Sequence, residues 1–422
     1  MHRDLDLALR NGSEAAFRAL ERLVAAPSLA GQEHAALDVF AEEAEAVGLL
    51  ARRLPFASGP VGDPRAGVAP VLTEGSPDRY QVLAVTPGEG PLHLLLNGHM
   101  DVVPAGSPEL WTTPPFRPDR RDGRLYGRGA ADMKCGFAVG LLALRALRDT
   151  VPDLFARRRL GFLAVVEEEC TGNGTLRSIA EHGVIAPEVV VLEPTDLGLL
   201  VGGVGVLWAD VTVTTAPGHA HSAETRANAV DLAMRLVAGL RRWAAEVALS
   251  EPEPGLPDLA QPYALNLGRV QAGDWTSSSP ATAVLGLRVG FPRAWSAEEA
   301  ESRLRRAIAD IAAGDAAFLR PPGVALTGLR AEGYLLEADS ALVRDLSAAH
   351  REAHGVAPKV HMLGTTTDAR IYLNHFGVPA LCFGPRGHDL HGIDESVELQ
   401  SIVEAARTLA RFLLMRFAPE AA

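Results

Sequence analysis

The chain has 422 residues, 47% of them hydrophobic and 22% charged, which is the balance of a globular protein too long for one ordinary core. Its net charge of −12 argues against a nucleic-acid surface. No apolar run approaches the ~18–20 residues that span a bilayer, and the N-terminus, Met1–Asp6, lacks the apolar stretch of a secretory signal. Three cysteines, an odd and sparse set, indicate a reducing compartment, so we expect a cytoplasmic protein.

The N-terminal half of the chain predicts alternating helices and strands. The predicted elements are, in order, helices over 14–24 and 33–47, strands at 80–85 and 92–96, a long loop over 104–129, a helix over 133–148, and strands at 160–166 and 189–192. Short apolar runs of this kind are typical of buried parallel strands. The alternation therefore predicts an α/β fold with a doubly wound, mostly parallel sheet that helices cover on both faces.

The pattern changes after residue 204. The next predicted elements are a strand over 206–215, a helix over 227–248, strands at 263–271 and 281–289, a helix over 296–313 and a strand at 324–329. The order β-α-β-β-α-β is that of a ferredoxin-like α+β module. A helix at 340–354, a strand at 379–383 and a helix at 396–417 then resume the first pattern. We expect a split catalytic domain, residues 1–204 and 331–422, with a lid and dimerisation domain inserted over 205–330.

Side chains with metal-ligand chemistry follow the predicted strands. The strand at 92–96 leads into His99 and Asp101, and the strand at 160–166 leads into an acidic triplet at 167–169. Open α/β sheets bind ligands at the carboxyl ends of their strands, and imidazole and carboxylate are zinc ligands. The residues of this type that we expect to converge are His99, Asp132, Glu169, Glu193 and His391.

Two histidines and three carboxylates suffice for two divalent cations if one carboxylate is shared. Asp132 is the natural bridge, because the glycines at 127 and 129 let the backbone bring it close. Two cations ~3.5–4 Å apart can activate one water molecule and polarise a carbonyl group. In the acidic triplet, one glutamate would bind metal and a neighbouring one would stay free as a general base. The pattern predicts a metal-dependent hydrolase.

Seven motifs along the whole chain carry a resemblance to a known family, in the same order. They are GHMDVVP (98–104), GRGAADMK (127–134), EEECTGNG (167–174), LEPT (192–195), GHAHS (218–222), GTTTDAR (364–370) and GPRGHDLHGIDE (384–395). The chain resembles the cocatalytic zinc deacylases and exopeptidases, the family of acetylornithine deacetylase, succinyl-diaminopimelate desuccinylase, aminoacylase and carboxypeptidase G. The resemblance implies the same fold, with the lid inserted at the same place.

The resemblance also implies how the metal ligands divide. One zinc ion would be bound by His99, Asp132 and Glu193. The other would be bound by Asp132, Glu169 and His391. Cobalt or manganese would be able to replace zinc.

Further roles follow from the same resemblance. Asp101 would orient a metal-binding imidazole from behind, and Glu168 would be the general base, although a shift of one residue within the triplet stays open. His221, in the lid, would reach across a homodimer to the oxyanion of the reaction. The residues expected to bind or line the substrate are Arg288, which would hold a carboxylate, and Thr366 and Gly384.

The implied reaction is hydrolysis of the amide bond of an N-acyl amino acid by water activated between two zinc ions. A metallo-dipeptidase or carboxypeptidase would use the same metal site and is the alternative. A non-catalytic interaction protein is a weaker alternative, because no ligand and no base is missing. The expected partners are a small N-acyl amino acid or short peptide and a second copy of the chain, with no nucleic acid and no membrane.

Four residues keep a second interpretation at this stage. His388 competes with the ligand three residues later, and His219 competes with the lid histidine two residues later. Cys135 is either a small buried residue or an extra ligand near zinc. Asp368 is either a helix N-cap or a support for the site.

Overall fold

The computed structural model describes residues 2–56, 62–68, 78–225 and 227–418. Within these ranges, no helix combines the length and hydrophobicity that a bilayer crossing requires. Short 3₁₀ helices lie at Pro108–Leu110 and Ala220–Thr225. The α-helices are α1 (His2–Ala25), α2 (His34–Val47), α3 (Lys134–Thr150), α4 (Pro152–Arg157), α5 (Asn173–Ala180), α6 (Ala229–Ser250), α7 (Ala297–Ala313), α8 (Ala341–His354), α9 (Ala369–Phe376) and α10 (Leu399–Phe417).

The strands fall into two large and two small sheets. They are β1 (Leu50–Pro55), β2 (Tyr80–Val85), β3 (Leu94–His99), β4 (Asp119–Arg121), β5 (Arg124–Tyr126), β6 (Leu160–Val165), β7 (Val189–Val191), β8 (Leu199–Gly203), β9 (Gly205–Thr214), β10 (Gly218–His219), β11 (Leu265–Ala272), β12 (Ser278–Ser279), β13 (Thr282–Phe291), β14 (Gly323–Ala331), β15 (Tyr334–Leu335), β16 (Val360–Leu363), β17 (Ala380–Cys382), β18 (Gly387–His388) and β19 (Ser396–Glu398).

The largest sheet has nine strands in the order β1-β2-β6-β3-β7-β17-β8-β15, and β16 also pairs with β8. Its central strands β6, β3, β7 and β17 are parallel to one another. Antiparallel strands flank them on both sides. The predicted α/β fold with a mostly parallel central sheet is confirmed.

Both faces of the central sheet are buried, and β3 shows why. Side chains alternate between the two faces of a strand. Leu94 and Leu96 pack into the core formed with α1, α2, α3 and α10. Leu95 packs into the opposite core, formed with α5 and α9. An apolar run is thus favoured here, and the one polar residue within it, Asn97, is buried with its amide hydrogen-bonded.

The second large sheet, β11-β13-β9-β14, is built from residues 205–331. Its strands and helices follow the predicted β-α-β-β-α-β order. Ala209, Val211 and Val213 of β9 pack against α6 and α7. The alternating residues Trp208 and Asp210 are half-buried on the other face. This unit, which we call the lid sheet, therefore has one face covered by helices and one face open.

Several elements differ from their predictions. Helix α1 begins at His2 and not at residue 14, and it continues through Gly12. A Cβ at Gly12 would lie 2.9 Å from Leu142 Cδ1, so glycine allows α1 and α3 to pack closely. Helices α5 and α9 were absent from the predictions. So was the small sheet β18-β19-β5-β4, which forms partly within the predicted loop 104–129.

A buried ionic network joins three distant segments around Arg79. Its guanidinium contacts Glu33 (2.8 Å) before α2 and Glu167 (2.5 Å) after β6. All three side chains are at most 6% exposed. Thr171 donates a further hydrogen bond to Glu167 (3.0 Å). The network holds the first glutamate of the acidic triplet in a structural role.

Replacing Arg79 with methionine should destabilise the fold by about 3–5 kcal/mol, because two buried carboxylates lose their cation. Urea unfolding at neutral pH measures the change. The matched control is Arg235→Met, which breaks the exposed ion pair with Asp315 (3.0 Å) and should cost at most about 1 kcal/mol. Equal effects of the two substitutions would contradict the role given to the network.

Candidate metal centre

The candidate ligands lie at one edge of the central sheet, where its parallel strands end. His99 is the last residue of β3, Glu169 lies in the turn after β6, and Glu193 follows β7 by two residues. Asp132 precedes α3, and His391 lies in the loop between β18 and β19. The topology brings residues from five separate segments to one place.

Asp132 lies between the two histidines. Its Oδ1 is 3.1 Å from His99 Nε2, and its Oδ2 is 3.2 Å from His391 Nε2. A further carboxylate completes each side: Glu193 Oε1 is 3.8 Å from His99 Nε2, and Glu169 Oε1 is 3.1 Å from His391 Nε2. We call these the His99 set and the His391 set. Each has three donor atoms, and the two oxygens of Asp132 join them.

These distances suit two divalent cations. Ligand atoms ~2.0–2.2 Å from a tetrahedral zinc ion lie about 3.4 Å apart, and the contacts to the two imidazoles measure 3.1 to 3.8 Å. Imidazole nitrogen and carboxylate oxygen also match the ligand preference of zinc. Ligand atoms of His99, Asp132 and Glu169 all lie within 4.8 Å of one another. The residues present therefore fit a pair of adjacent cations.

Burial shapes the protonation of these groups. It raises the pKa of Glu193 to about 8. Burial also opposes the charge of Asp132, but hydrogen bonds from His391 and His99 lower its pKa. Hydrogen bonds to the carboxylate of Asp132, which has the larger effect, and to that of Glu169 raise the pKa of His391 to about 11. Imidazolium charges thus balance carboxylates in the metal-free protein, and a cation would have to replace those protons.

His99 presents Nε2 to the centre because its other nitrogen is engaged. Nδ1 donates to the backbone carbonyl of Asp101 (2.8 Å), which leaves the Nε2 lone pair for a ligand. The Asp101 carboxylate, the expected orienting group, lies 3.8 Å from Nδ1. It instead accepts the backbone N–H groups of Glu168 (3.3 Å) and Glu169 (3.1 Å). In the structure, the Asp101 side chain therefore holds the acidic turn, and its backbone carbonyl holds the His99 ring.

Within the acidic turn, Glu168 has the surroundings of a base. It lines the cleft beside the two donor sets. Burial raises the pKa of Glu168 well above its usual value, although His99 opposes that shift. A carboxylate with a raised pKa accepts a proton near neutral pH more readily than an ordinary one.

A cleft of about 870 Å³ lies between the donor sets and the open face of the lid sheet. Arg288 and Trp208 face each other across β13 and β9 on the lid side. Arg288 Nη2 donates to Thr365 Oγ1 (3.0 Å). Burial lowers the pKa of Arg288, and no carboxylate among the described residues forms an ion pair with it. An unpaired cation in a cleft favours an anionic ligand group.

The other predicted site residues occupy different positions. Thr366 lines the cleft, and its hydroxyl is buried with no hydrogen-bond partner among the described residues. Gly384 lies behind Glu193: a Cβ there would be 2.2 Å from the Glu193 carbonyl oxygen. His221 is exposed in the 3₁₀ helix of the lid, with its Nδ1 3.0 Å from His219 Nδ1. Among the residues that the structure describes, those that line the cleft do not include His221.

The contacts of His388, Cys135 and Asp368 bear on the two interpretations that each of these residues had from sequence. His388 Nε2 contacts Glu398 (3.0 Å) and neither donor set. The Cys135 thiol is fully buried and donates to the Ala131 carbonyl (2.9 Å), and burial raises its pKa, so it is a neutral packed thiol. Asp368 precedes α9, and its carboxylate accepts from Thr175 (2.5 Å).

Sequence reasoning assigned no role to two buried charged residues of the site. Arg128 and Glu395 form an ion pair behind the ligands. Both lie within motifs that were recognised, so a signal was present. Their pairing across 267 positions had no pattern that would reveal it.

The paired donor sets and the half-buried Glu168 beside them define a metal-dependent hydrolase. The chain belongs to peptidase family M20/M25/M40, whose family model matches residues 95–415. This confirms the expected family and the expectation of a hydrolytic enzyme.

Individual proteins resemble the chain over most of its length. It is 30% identical over 414 residues to succinyl-diaminopimelate desuccinylase of Methylobacterium radiotolerans, covering 95% of this chain and 96% of that one. It is 28% identical over 356 residues to N-formyl-4-amino-5-aminomethyl-2-methylpyrimidine deformylase of Halalkalibacterium halodurans, covering 80% and 82%. The solved structure of the di-peptidase Dug1p of Saccharomyces cerevisiae has a TM-score of 0.78 at 14% identity, covering 100% and 99%. That likeness shows a shared fold.

Removing divalent cations with a chelator should abolish hydrolysis, and adding zinc or cobalt should restore it. Reconstitution should require two ions per chain, because the donors form two sets. Each bound ion should also raise the melting temperature, because the ligands converge only in the folded chain. Metal analysis, calorimetry and turnover follow the three effects. Full activity after verified removal of metal would contradict the site.

Proposed function

We propose that the protein hydrolyses the amide bond of an N-acyl amino acid with two zinc ions, which cobalt or manganese would be able to replace. One observation carries the proposal: each oxygen of Asp132 faces a different histidine, and a separate glutamate completes each set. Bound there, two cations would supply Lewis acidity that lowers the pKa of water and polarises the substrate carbonyl. The desuccinylase and deformylase relatives, both named for removing an acyl group, support this substrate class.

The side chains of the site would handle the proton. Glu168, half-buried beside the donor sets, would take it from the attacking water molecule and deliver it to the leaving amine. Asp101 would keep Glu168 in place through the backbone N–H that it accepts. The raised pKa of Glu168 suits both steps, because the group must first accept and then release the same proton near neutral pH.

Arg288 would select for a substrate carboxylate. Its guanidinium is half-buried in the cleft wall and donates a hydrogen bond to Thr365. A guanidinium matches a carboxylate with paired hydrogen bonds. Thr366, with an unpaired hydroxyl in the same wall, would add a further polar contact. Gly384 would act indirectly, by giving room to the backbone of Glu193.

The lid, residues 205–330, would also join two copies of the chain. His221 is exposed and outside its own cleft, so it would act only in the partner's site, where it would stabilise the oxyanion. We further propose a cytoplasmic location, which the three free cysteines support.

A dipeptidase or carboxypeptidase is the second candidate, because Arg288 would hold the C-terminal carboxylate of a peptide equally well. A panel of N-succinyl, N-acetyl and N-formyl amino acids and dipeptides separates the two. Preference for dipeptides by kcat/KM would replace the first proposal with the second.

Replacing Glu168 with glutamine should lower kcat by about 10²–10⁴-fold, since the proton acceptor is lost. Metal content should stay at the wild-type level, because Glu168 belongs to neither donor set. The control, Glu181→Gln, alters an exposed glutamate at the end of α5 and should leave kcat unchanged. Retained turnover in Glu168→Gln would contradict the assignment of the base.

Replacing Arg288 with methionine should lower kcat/KM by about 10–100-fold for carboxylate substrates, which corresponds to ~1.5–3 kcal/mol for a charged hydrogen bond. An amide analogue of the same substrate should lose much less. Arg269 lines the same cleft but is already paired with Asp210 (2.6 Å), so Arg269→Met is the matched control. A similar loss in both variants, or for both substrates, would argue against selection by Arg288.

A further inference from the structure

The loop before α3 wraps its backbone around the carboxylate of Glu395. Glu395 Oε1 accepts the N–H groups of Ala131 and Asp132, both at 2.9 Å. Its Oε2 accepts the N–H of Gly129 (3.1 Å) and a hydrogen bond from Arg128. The side chain is fully buried. Successive N–H groups in a turn form a concave site for an anion, and this chain fills that site with its own glutamate.

Arg128 extends the connection to the other side of the centre. Its Nη2 donates to the carbonyl oxygens of His391 (3.2 Å) and Gly392 (3.1 Å). The guanidinium lies over the Trp111 ring, 5.3 Å from its centroid, and is 1% exposed. Arg128 and Glu395 therefore form one buried pair that holds the backbone of Asp132 and the backbone of His391.

The two donor sets differ in how their ligands are supported. In the His99 set, His99 ends a central strand and Glu193 follows another. In the His391 set, Asp132 and His391 both lie in loops, and His391 has a left-handed backbone with φ of 60°. Strands β5 and β19 pair as far as Tyr126 and Ser396, so Asp132 and His391 lie six and five residues beyond that pairing. The buried pair adds contacts to the backbone of both ligands.

We propose that Glu395, together with Arg128, is a positioning residue that sets the cation affinity of the His391 set. The inference rests on the proposed function, since it takes that set to be a metal site. A buried ion pair is by itself weak support for stability. Here, however, three of the bonds to Glu395 come from the backbone that carries Asp132, and the pair's other contacts reach the backbone of His391.

The test is metal binding by the full chain with Glu395→Gln, measured for zinc by competition with a chromophoric chelator. The affinity of the His391 set should fall about 10–100-fold, as is usual when support behind a ligand is lost. The His99 set shares Asp132 but has its other two ligands at strand ends, so its affinity should fall less. Activity lost at low zinc should return when zinc is added in excess. In the metal-free variant, the peptide around 129–132 should exchange its amide hydrogens faster than in the wild type.

The matched control is Glu253→Gln. Glu253 is another buried glutamate paired with an arginine, Arg293 (3.1 Å), in the chain segment after α6. The Glu253→Gln variant should be less stable than the wild type but should bind zinc with unchanged affinity. If Glu395→Gln does not fold, Arg128→Lys replaces it: lysine keeps the charge beside Glu395 but loses the planar fork that reaches His391, so the same site should weaken.

The outcomes separate the two proposals. A wild-type chain that binds fewer than two zinc ions overturns the proposed function. If the wild-type chain binds two zinc ions and both affinities are unchanged in the variants, Glu395 does not have the proposed role. Equal weakening of both sites also overturns it, because that result indicates a general loss of structure.

Discussion

The shared carboxylate of Asp132 is the interaction on which the rest of the site depends. One oxygen faces His99 and the other faces His391, so a single side chain sets the distance between the two donor sets. Glu169 and Glu193 add negative charge on either side. Burying several carboxylates together is costly unless positive charge balances them. The geometry and the charge therefore favour the same occupants, two adjacent divalent cations.

The surrounding fold supplies what this cluster needs. Parallel strands buried on both faces end at one edge, and they deliver His99, Glu169 and Glu193 from separate segments. Loops deliver Asp132 and His391, and buried polar contacts hold those loops: Asp101 holds the acidic turn, and Glu395 holds the turn before α3. The lid sheet has helices on one face only, so its open face forms the opposite wall of the cleft.

Much of this organisation was predictable from local sequence. The apolar run before His99 predicts a buried strand, because a sheet covered on both faces favours continuous apolar residues. The order of elements over residues 205–331 predicts the ferredoxin-like unit. Short elements were harder to predict. Helix α5 follows Gly172, with a left-handed φ of 75°, and the strands of the small sheet are two or three residues long, so each depends on its tertiary neighbours.

The sequence by itself determined the residue types at the strand ends, the order of the motifs and the split of the α/β unit, since these follow from periodicity and from short-range spacing. Tertiary structure alone decided which atoms meet. It showed that Asp101 acts through its backbone on His99 and through its carboxylate on the acidic turn. It also showed that Arg128 forms a buried ion pair with Glu395. Such contacts join residues far apart in the chain, and their geometry arises only when the packed elements fix the loops between them.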